Sequence, residues 1–157
     1  MKSKIFVSLM AFVLCVGINS CKDKDEPVNV AKAVAGTYSG TATAGDLSIP
    51  NLSINFAFAE KTKVNVSIIG KILGYDIDPF SATVKATSTS NSFDIEGSGS
   101  VPFPGLSLPP AFLIKGKIVV GDTKTIELKI TIGAGLAPGA DPTGTLPLEL
   151  QFVGKTN

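Results

Sequence analysis

The chain lacks three residue types altogether: histidine, arginine and tryptophan do not occur among its 157 residues. Without His there is no His-based catalytic triad, no imidazole general base and no His metal ligand. Without Arg there is no planar guanidinium fork for a carboxylate or a phosphate. The sequence therefore predicts a protein that is not an enzyme, with no catalytic residue, no metal site and no cofactor.

An excess of charge of one sign is also missing. The chain has 14 Lys against 13 Asp and Glu, for a formal net charge of +1. Proteins that bind nucleic acid carry a clustered basic surface, so no nucleic-acid partner is predicted. The length fits a single domain, because domains commonly span roughly 100–200 residues.

Residues 1–20 have the pattern of a bacterial lipoprotein signal peptide. Lys2 and Lys4 precede an apolar stretch over 5–18, which is of signal length and is short for a membrane span. The stretch ends in Ile18-Asn19-Ser20-Cys21, which resembles the lipobox, with Asn19 as its one departure. The resemblance implies that Cys21 is acylated and becomes the new N-terminus. The alternative is an ordinary secretory signal, after which the chain keeps one Cys and no internal disulfide.

A charged run follows the cysteine, and residues 21–33 are predicted to be the acylated Cys and a charged flexible tether. Lys22-Asp23-Lys24-Asp25-Glu26-Pro27 is similar to the acidic export signal of surface lipoproteins in the Bacteroidetes. The resemblance implies an outer-membrane lipoprotein exposed at the cell surface, with the membrane as its partner through Cys21. The alternative is a polar linker on a protein that faces the periplasm.

Residues 34–157 are predicted to form one all-β domain, because apolar side chains recur there at every second position. Short turn sequences such as Gly45-Asp46 and Gly121-Asp122 separate about eight such segments. Eight short strands joined by hairpins indicate an antiparallel meander, and closing it into a β-barrel removes the unpaired edges. A two-sheet β-sandwich is the alternative. The strands are mostly too short, and aromatics too few, for a transmembrane barrel, so the apolar face is expected inside.

One short motif carries a family resemblance at the start of this domain. Val34-Ala35-Gly36-Thr37-Tyr38-Ser39-Gly40 places a Gly-x-aromatic just before the first strand. This resembles the opening motif of the calycins, the superfamily of the lipocalins, and the layout is similar to calycin-like lipoproteins of the Bacteroidetes. Tyr38 stands where lipocalins have Trp, and the Arg that usually packs over that Trp is absent. The resemblance implies a closed antiparallel barrel and no particular ligand.

A barrel of eight strands can be filled by its own side chains or can hold one small ligand. The segment from Val101 to Pro110 contains four Pro and also apolar side chains, which is unusual for a loop. It is interpreted as a lid over a cavity, as a plug that completes the core, or as an exposed patch for a protein partner. The residues predicted to bind a small apolar ligand are Tyr38, Phe56, Phe58, Phe103, Leu106, Leu108 and Phe112.

Two closely spaced carboxylate pairs could in principle act in catalysis or bind a metal ion, namely Asp76 with Asp78 and Asp94 with Glu96. Paired carboxylates serve glycosidases and also bind Ca²⁺. Asp94 and Glu96, however, alternate with apolar residues and are expected on the solvated face. Asp78 precedes Pro79, which is ordinary turn chemistry.

The sequence thus leaves two hypotheses about function. The first is a lipid-anchored envelope protein that binds a small apolar ligand inside its barrel. The second is a surface interaction or scaffold module with a filled barrel, whose loops contact a protein or a glycan.

The lipid anchor gives a direct prediction for Cys21→Ala. Since this change removes the acylated side chain, the mature protein should move from the membrane fraction to the soluble fraction. Fractionation followed by immunoblotting measures this. A Cys21→Ala protein that still sediments with membranes contradicts the lipoprotein prediction.

Overall fold

The structure is a computed structural model that describes residues 29–101, 111–137 and 146–157. It contains one short helix and eight strands. These are α1 (Val30–Val34), β1 (Gly36–Ala44), β2 (Leu47–Glu60), β3 (Lys63–Ile69), β4 (Phe80–Ala86), β5 (Ser92–Ser100), β6 (Ala111–Val119), β7 (Thr125–Ala134) and β8 (Leu148–Thr156).

The eight strands form a closed antiparallel meander in which every strand pairs with its sequence neighbours. The first strand also pairs with the last, over Tyr38 to Thr43 of β1 and Gln151 to Thr156 of β8. This confirms the predicted all-β barrel, and the alternative of a two-sheet sandwich is wrong. None of the helices in the described ranges has the length and apolar character needed to cross a membrane.

The alternation along each strand separates a buried face from a solvated face. In β7, Ile126, Leu128, Ile130 and Ile132 are at most 2% exposed, while Thr125, Glu127 and Lys129 point to solvent. Burying an aliphatic side chain of this size contributes about 1.5–3 kcal/mol. The inward face therefore supplies the stability of the barrel, and the apolar face lies inside as expected.

The two ends of the barrel differ, and they are named here the helix end and the loop end. The helix end carries α1 and the short turns after β2, β4 and β6. The loop end carries the tight turn after β1 and the three long connections, which follow β3, β5 and β7. Residues 102–110 and 138–145, which belong to two of these connections, lie outside the described residues.

Helix α1 closes the helix end of the barrel. Asn29 caps it, since the Asn29 side chain accepts a hydrogen bond from the Lys32 backbone N–H at 3.1 Å. Val30, Ala31 and Val34 are buried, and the Ala31 N–H donates to the Lys61 carbonyl at 3.1 Å. The sequence prediction assigns part of this helix to the flexible tether, because five residues are too few to show a helical period. The signal peptide and Cys21 lie outside the described residues.

Several inward positions are occupied by glycine because strands approach there too closely for a side chain. A Cβ on Gly116 would overlap the Glu127 carbonyl oxygen and lie 2.8 Å from the Leu128 Cα. Gly40 and Gly154 face each other across the β1–β8 seam, and a Cβ on Gly40 would lie 2.6 Å from the Gly154 Cα. Glycine kinks of this kind let a sheet bend sharply enough to close.

These contacts predict that Gly116→Ala destabilises the barrel strongly. The new methyl group meets backbone atoms that cannot rotate away, so the cost should reach or exceed the upper end of the ~1–3 kcal/mol seen for overpacked cores. Urea unfolding followed by circular dichroism measures the free energy of unfolding. Gly121→Ala is the matched control, because its Cβ would meet only the Thr123 carbonyl oxygen at 3.7 Å. Equal stability of the two variants would contradict this account of the bend.

Candidate binding sites at the barrel ends and on the outer face

Tyr38 is buried at the helix end, where it packs against the helix and not against solvent. Its hydroxyl donates a hydrogen bond to the Val34 carbonyl oxygen at 2.7 Å. Its ring meets the ring of Phe56 edge to face, with centroids 5.5 Å apart and planes at 78°. Burial raises the pKa of the Tyr38 hydroxyl, because the charged phenolate is poorly solvated there. These two predicted ligand residues therefore form the packed base of the barrel.

A lysine that the sequence analysis did not single out connects the opening motif to the turn before β7. The Lys124 ammonium donates to the Ala35 carbonyl oxygen at 2.7 Å. The backbone N–H of Lys124 donates to the Thr156 hydroxyl at 3.2 Å, and the Thr156 N–H donates to the Lys124 carbonyl at 2.9 Å. In a chain without Arg, this lysine supplies a cation beside the Gly-x-Tyr motif. Its sequence context is an ordinary turn, so no local pattern could have revealed it.

Apolar side chains from separate segments converge at the loop end. Phe112, another predicted ligand residue, is fully buried and meets Phe80 edge to face at 5.5 Å between centroids. Val101, at the start of the Pro-rich segment, is 1% exposed. The other buried apolar side chains in the loop-end connections are Ile72, Ile77 and Leu146.

The wall of the barrel is incomplete at this end between β3 and β4. These two strands pair over only four positions, from Lys63 with Thr83 to Val66 with Phe80. Pro79 stands directly before β4, and proline has no N–H to continue the ladder. The last residues of β3, from 67 to 69, therefore extend beyond the start of β4.

The interior space next to the inward glycines is taken up by other side chains. A Cβ on Gly99 would lie 3.1 Å from the ring of Phe80, and one on Gly97 would lie 2.6 Å from the Ala82 Cβ. A Cβ on Gly154 would lie 2.7 Å from the ring of Phe152. The small residues in this interior thus make room for their neighbours, as in a filled core.

The predicted ligand residues do not gather into one site. Tyr38 and Phe56 lie together at the helix end, whereas Phe112 lies at the loop end. Phe58, in the last part of β2, is 49% exposed and does not belong to the buried core. Phe103, Leu106 and Leu108, like Cys21, lie outside the described residues.

The carboxylate pairs occupy solvated positions. Asp94 and Glu96 are exposed on the outer face of β5, as expected. Asp76 pairs with Lys71 at 3.2 Å, and Asp78 is exposed. Within the described ranges, no three Asp, Glu or Cys residues are grouped closely enough to hold a metal ion. None of these carboxylates lies in the kind of desolvated pocket that a catalytic acid needs.

The outer face carries a concave region that the sequence pattern did not predict. It has a volume of about 770 Å³ and lies across β4 to β8, between charged side chains that point away from the barrel. Its floor is formed at Ile95, Gly116 and Leu128, and a second hollow of about 500 Å³ adjoins it towards Ser98 and Leu113. The charged residues that line the larger hollow are Lys85, Asp94, Glu96, Lys115, Lys117, Glu127 and Lys129.

Comparison with protein-family models gives no match, and comparison with curated proteins gives none either. Among solved structures, one described as EF1p2_mFAP2b bound to DFHBI is similar over 83% of this chain and 98% of that chain. The sequence identity is 18% and the TM-score is 0.47. A likeness this distant says nothing about function. The closed eight-stranded barrel is established by the strand pairing of the chain itself.

The buried hydroxyl of Tyr38 gives a prediction with a pH signature. Tyr38→Phe keeps the ring against Phe56 but leaves the Val34 carbonyl without its donor, which should cost about 1 kcal/mol at neutral pH. In the wild type, the unfolded chain loses the phenolic proton near pH ~10 while the folded chain keeps it. Stability should therefore be full below that pH and fall above it.

The variant should lose stability less steeply than the wild type above pH ~10, because it has no phenol at this position to ionise in the unfolded state. Urea unfolding at a series of alkaline pH values measures both effects. Identical slopes for the two proteins would show that Tyr38 does not contribute to the alkaline loss.

Proposed function

We propose that this chain is a non-enzymatic, lipid-anchored protein of the cell envelope that acts as a surface interaction module, with the barrel as a rigid support and the loop end as the contact surface. The observation that carries the proposal is the filled interior. The large inward side chains of Tyr38, Ile114 and Phe152 are at most 1% exposed. Beside three of the inward glycines, the space is occupied by the atoms of neighbouring side chains.

The asymmetry of the two ends supports the same function. The helix end is closed by α1 and short turns, while all three long connections leave from the loop end. Binding residues are often carried by loops on a rigid scaffold, because a loop can vary without disturbing the core. The loop end is therefore the part of the barrel best suited to contact a protein or a glycan.

The position of the N-terminal segment gives the proposed anchor a direction. Asn29 and α1 lie at the helix end, so the chain that leads back to Cys21 joins the domain on the side opposite the long connections. With Cys21 acylated, the loop end faces away from the membrane. This arrangement suits an outer-membrane lipoprotein exposed at the cell surface. A periplasm-facing protein remains the alternative location.

A second candidate function is binding of a small apolar ligand at the loop end. The specific observation in its favour is the convergence of Phe80 with Phe112, Val101 and Ile77 below the long connections, next to the short β3–β4 pairing. A ligand there would contact Phe112 but not Tyr38 or Phe56, which lie at the other end.

Replacement of residues 102–110 by a Gly/Ser linker of equal length tests the interaction function. The variant should lose binding to the envelope proteins or glycans that the wild-type protein captures from the producing cells, at unchanged melting temperature. A Gly/Ser replacement of residues 121–123, a turn at the helix end, is the matched control and should keep the binding. If the 102–110 replacement binds the same partners as the wild type, the loop end is not the contact surface.

Native mass spectrometry of the mature protein purified from the producing cells separates the two candidates. The interaction function predicts the mass of the acylated chain alone. A bound apolar molecule that is retained by the wild type and lost in Phe112→Ala, but kept in Phe58→Ala, would favour the ligand-binding function instead.

A further inference from the structure

Charged side chains of both signs stand in two regular rows across the outer face of the barrel. The strand register places Lys85, Asp94, Lys117 and Glu127 side by side on β4, β5, β6 and β7. This set is named the first row. One step along the strands lies the second row, which consists of Thr83, Glu96, Lys115 and Lys129 on the same four strands.

Most of these charges have no partner within their own chain. All eight residues are exposed, and the hollow of about 770 Å³ lies between them. Among the described residues, the one ion pair that involves either row is Lys129 with Glu149, at 2.6 Å. Six charged groups on adjacent strands thus remain available to something outside the chain.

We propose that this face docks onto the same face of a second copy of the chain, about a two-fold axis that runs parallel to the strands between β5 and β6. Such an interface uses the same patch twice, so the patch must be complementary to itself. Rotation about this axis reverses the order of the residues within each row. Each row then lies opposite the same row of the second copy. Lys85 then faces Glu127 and Asp94 faces Lys117 in the first row, and Glu96 faces Lys115 in the second.

The charge pattern disfavours two alternative axes. An axis perpendicular to the strands would place the first row against the second, so that Asp94 would face Glu96 and Lys117 would face Lys115. An axis one strand further along, between β6 and β7, would place Lys115 opposite Lys129. Both alternatives oppose like charges, which disfavours the corresponding complexes.

The remaining residue of the second row fits the same arrangement. The proposed axis places Lys129 opposite Thr83, which carries no charge. Lys129 is also the row member that already has an ion pair within its own chain, with Glu149. The charges without a partner in the single chain are therefore the same ones that gain a partner across the axis.

The association should be weak and sensitive to salt, because exposed ion pairs contribute little individually and are screened by ions. Two copies held on one membrane would meet at a much higher effective concentration than in solution. The proposal does not depend on the contact function of the loop end, since the rows lie on the side of the barrel.

Charge reversal at Lys85 and Glu127 tests the proposal, because these residues lie on strands three apart and face each other only across the axis. The mature chain of residues 21–157, with Cys21→Ser so that it carries no lipid, is studied by sedimentation velocity over a concentration series at low salt. Wild-type protein should form a dimer that dissociates at high salt. Lys85→Glu alone and Glu127→Lys alone should each weaken the dimer by roughly tenfold or more.

The decisive measurement is a mixture of the two single variants. One variant then carries Glu at both positions and the other carries Lys at both, so the mixture should form a heterodimer at concentrations where each variant alone is mostly monomeric. The double variant should also dimerise. Lys155→Glu and Asp122→Lys, which change the net charge equally but lie outside both rows, should dimerise like the wild type.

Three results would overturn the proposal. The first is a wild-type chain that stays monomeric at every concentration at low salt. The second is a mixture that sediments no faster than its components while both single variants keep the melting temperature of the wild type. The third is a wild-type dimer that both single variants leave intact, which would place the interface elsewhere on the barrel.

Discussion

Closure of the barrel is the constraint on which the rest of this structure depends. The pairing of β1 with β8 leaves no free end strand, but it also forces the backbone to bend where strands come close together. At Gly40 and Gly116 a side chain would overlap the backbone of the neighbouring strand, so closure depends on the absence of a Cβ there. The inward residues around these glycines then pack into the space that remains.

The inward side chains are buried against one another, so the contact surfaces proposed for this protein lie on the outside of the barrel. Two polar contacts stand out: the buried hydrogen bond from the Tyr38 hydroxyl to the Val34 carbonyl, and the part-buried one from the Lys124 ammonium to the Ala35 carbonyl. Both contacts lie at the helix end, where they hold α1 and the start of β1 in place. The three long connections leave from the opposite end.

The outer face has its own organisation, which follows from strand register. Alternation puts polar residues outside, and the register then decides which charges become neighbours on adjacent strands. On β4 to β7 the neighbours alternate in sign along the first row, yet in this structure they do not form ion pairs with one another. A surface that only needed solubility could use any mixture of these charges. The order found here is complementary to itself under a two-fold axis parallel to the strands between β5 and β6. An axis perpendicular to the strands, or one between β6 and β7, would oppose like charges.

The local sequence was sufficient to predict the strands, the turns between them and the direction of most side chains. Segments such as Thr125 to Ile132 alternate so regularly that only one face can be buried, and turn residues such as Gly45-Asp46 leave little choice of boundary. The same reasoning placed Asp94 and Glu96 on the solvated face. It missed α1, because five residues contain too few turns to show a period, and it misjudged the setting of Phe58, because alternation does not reveal where a strand passes the rim.

What the sequence determined by itself is thus the alternation, and with it an all-β chain with an apolar and a polar face. Only the tertiary structure decided which residues contact one another on the buried face and which charges become neighbours on the outer face. It brought Lys124 to Ala35, residues far apart in the chain, because closure places β1 against β8 and α1 under the barrel. It also set the charged rows side by side, since strand register depends on pairing between segments and cannot be derived from any one of them.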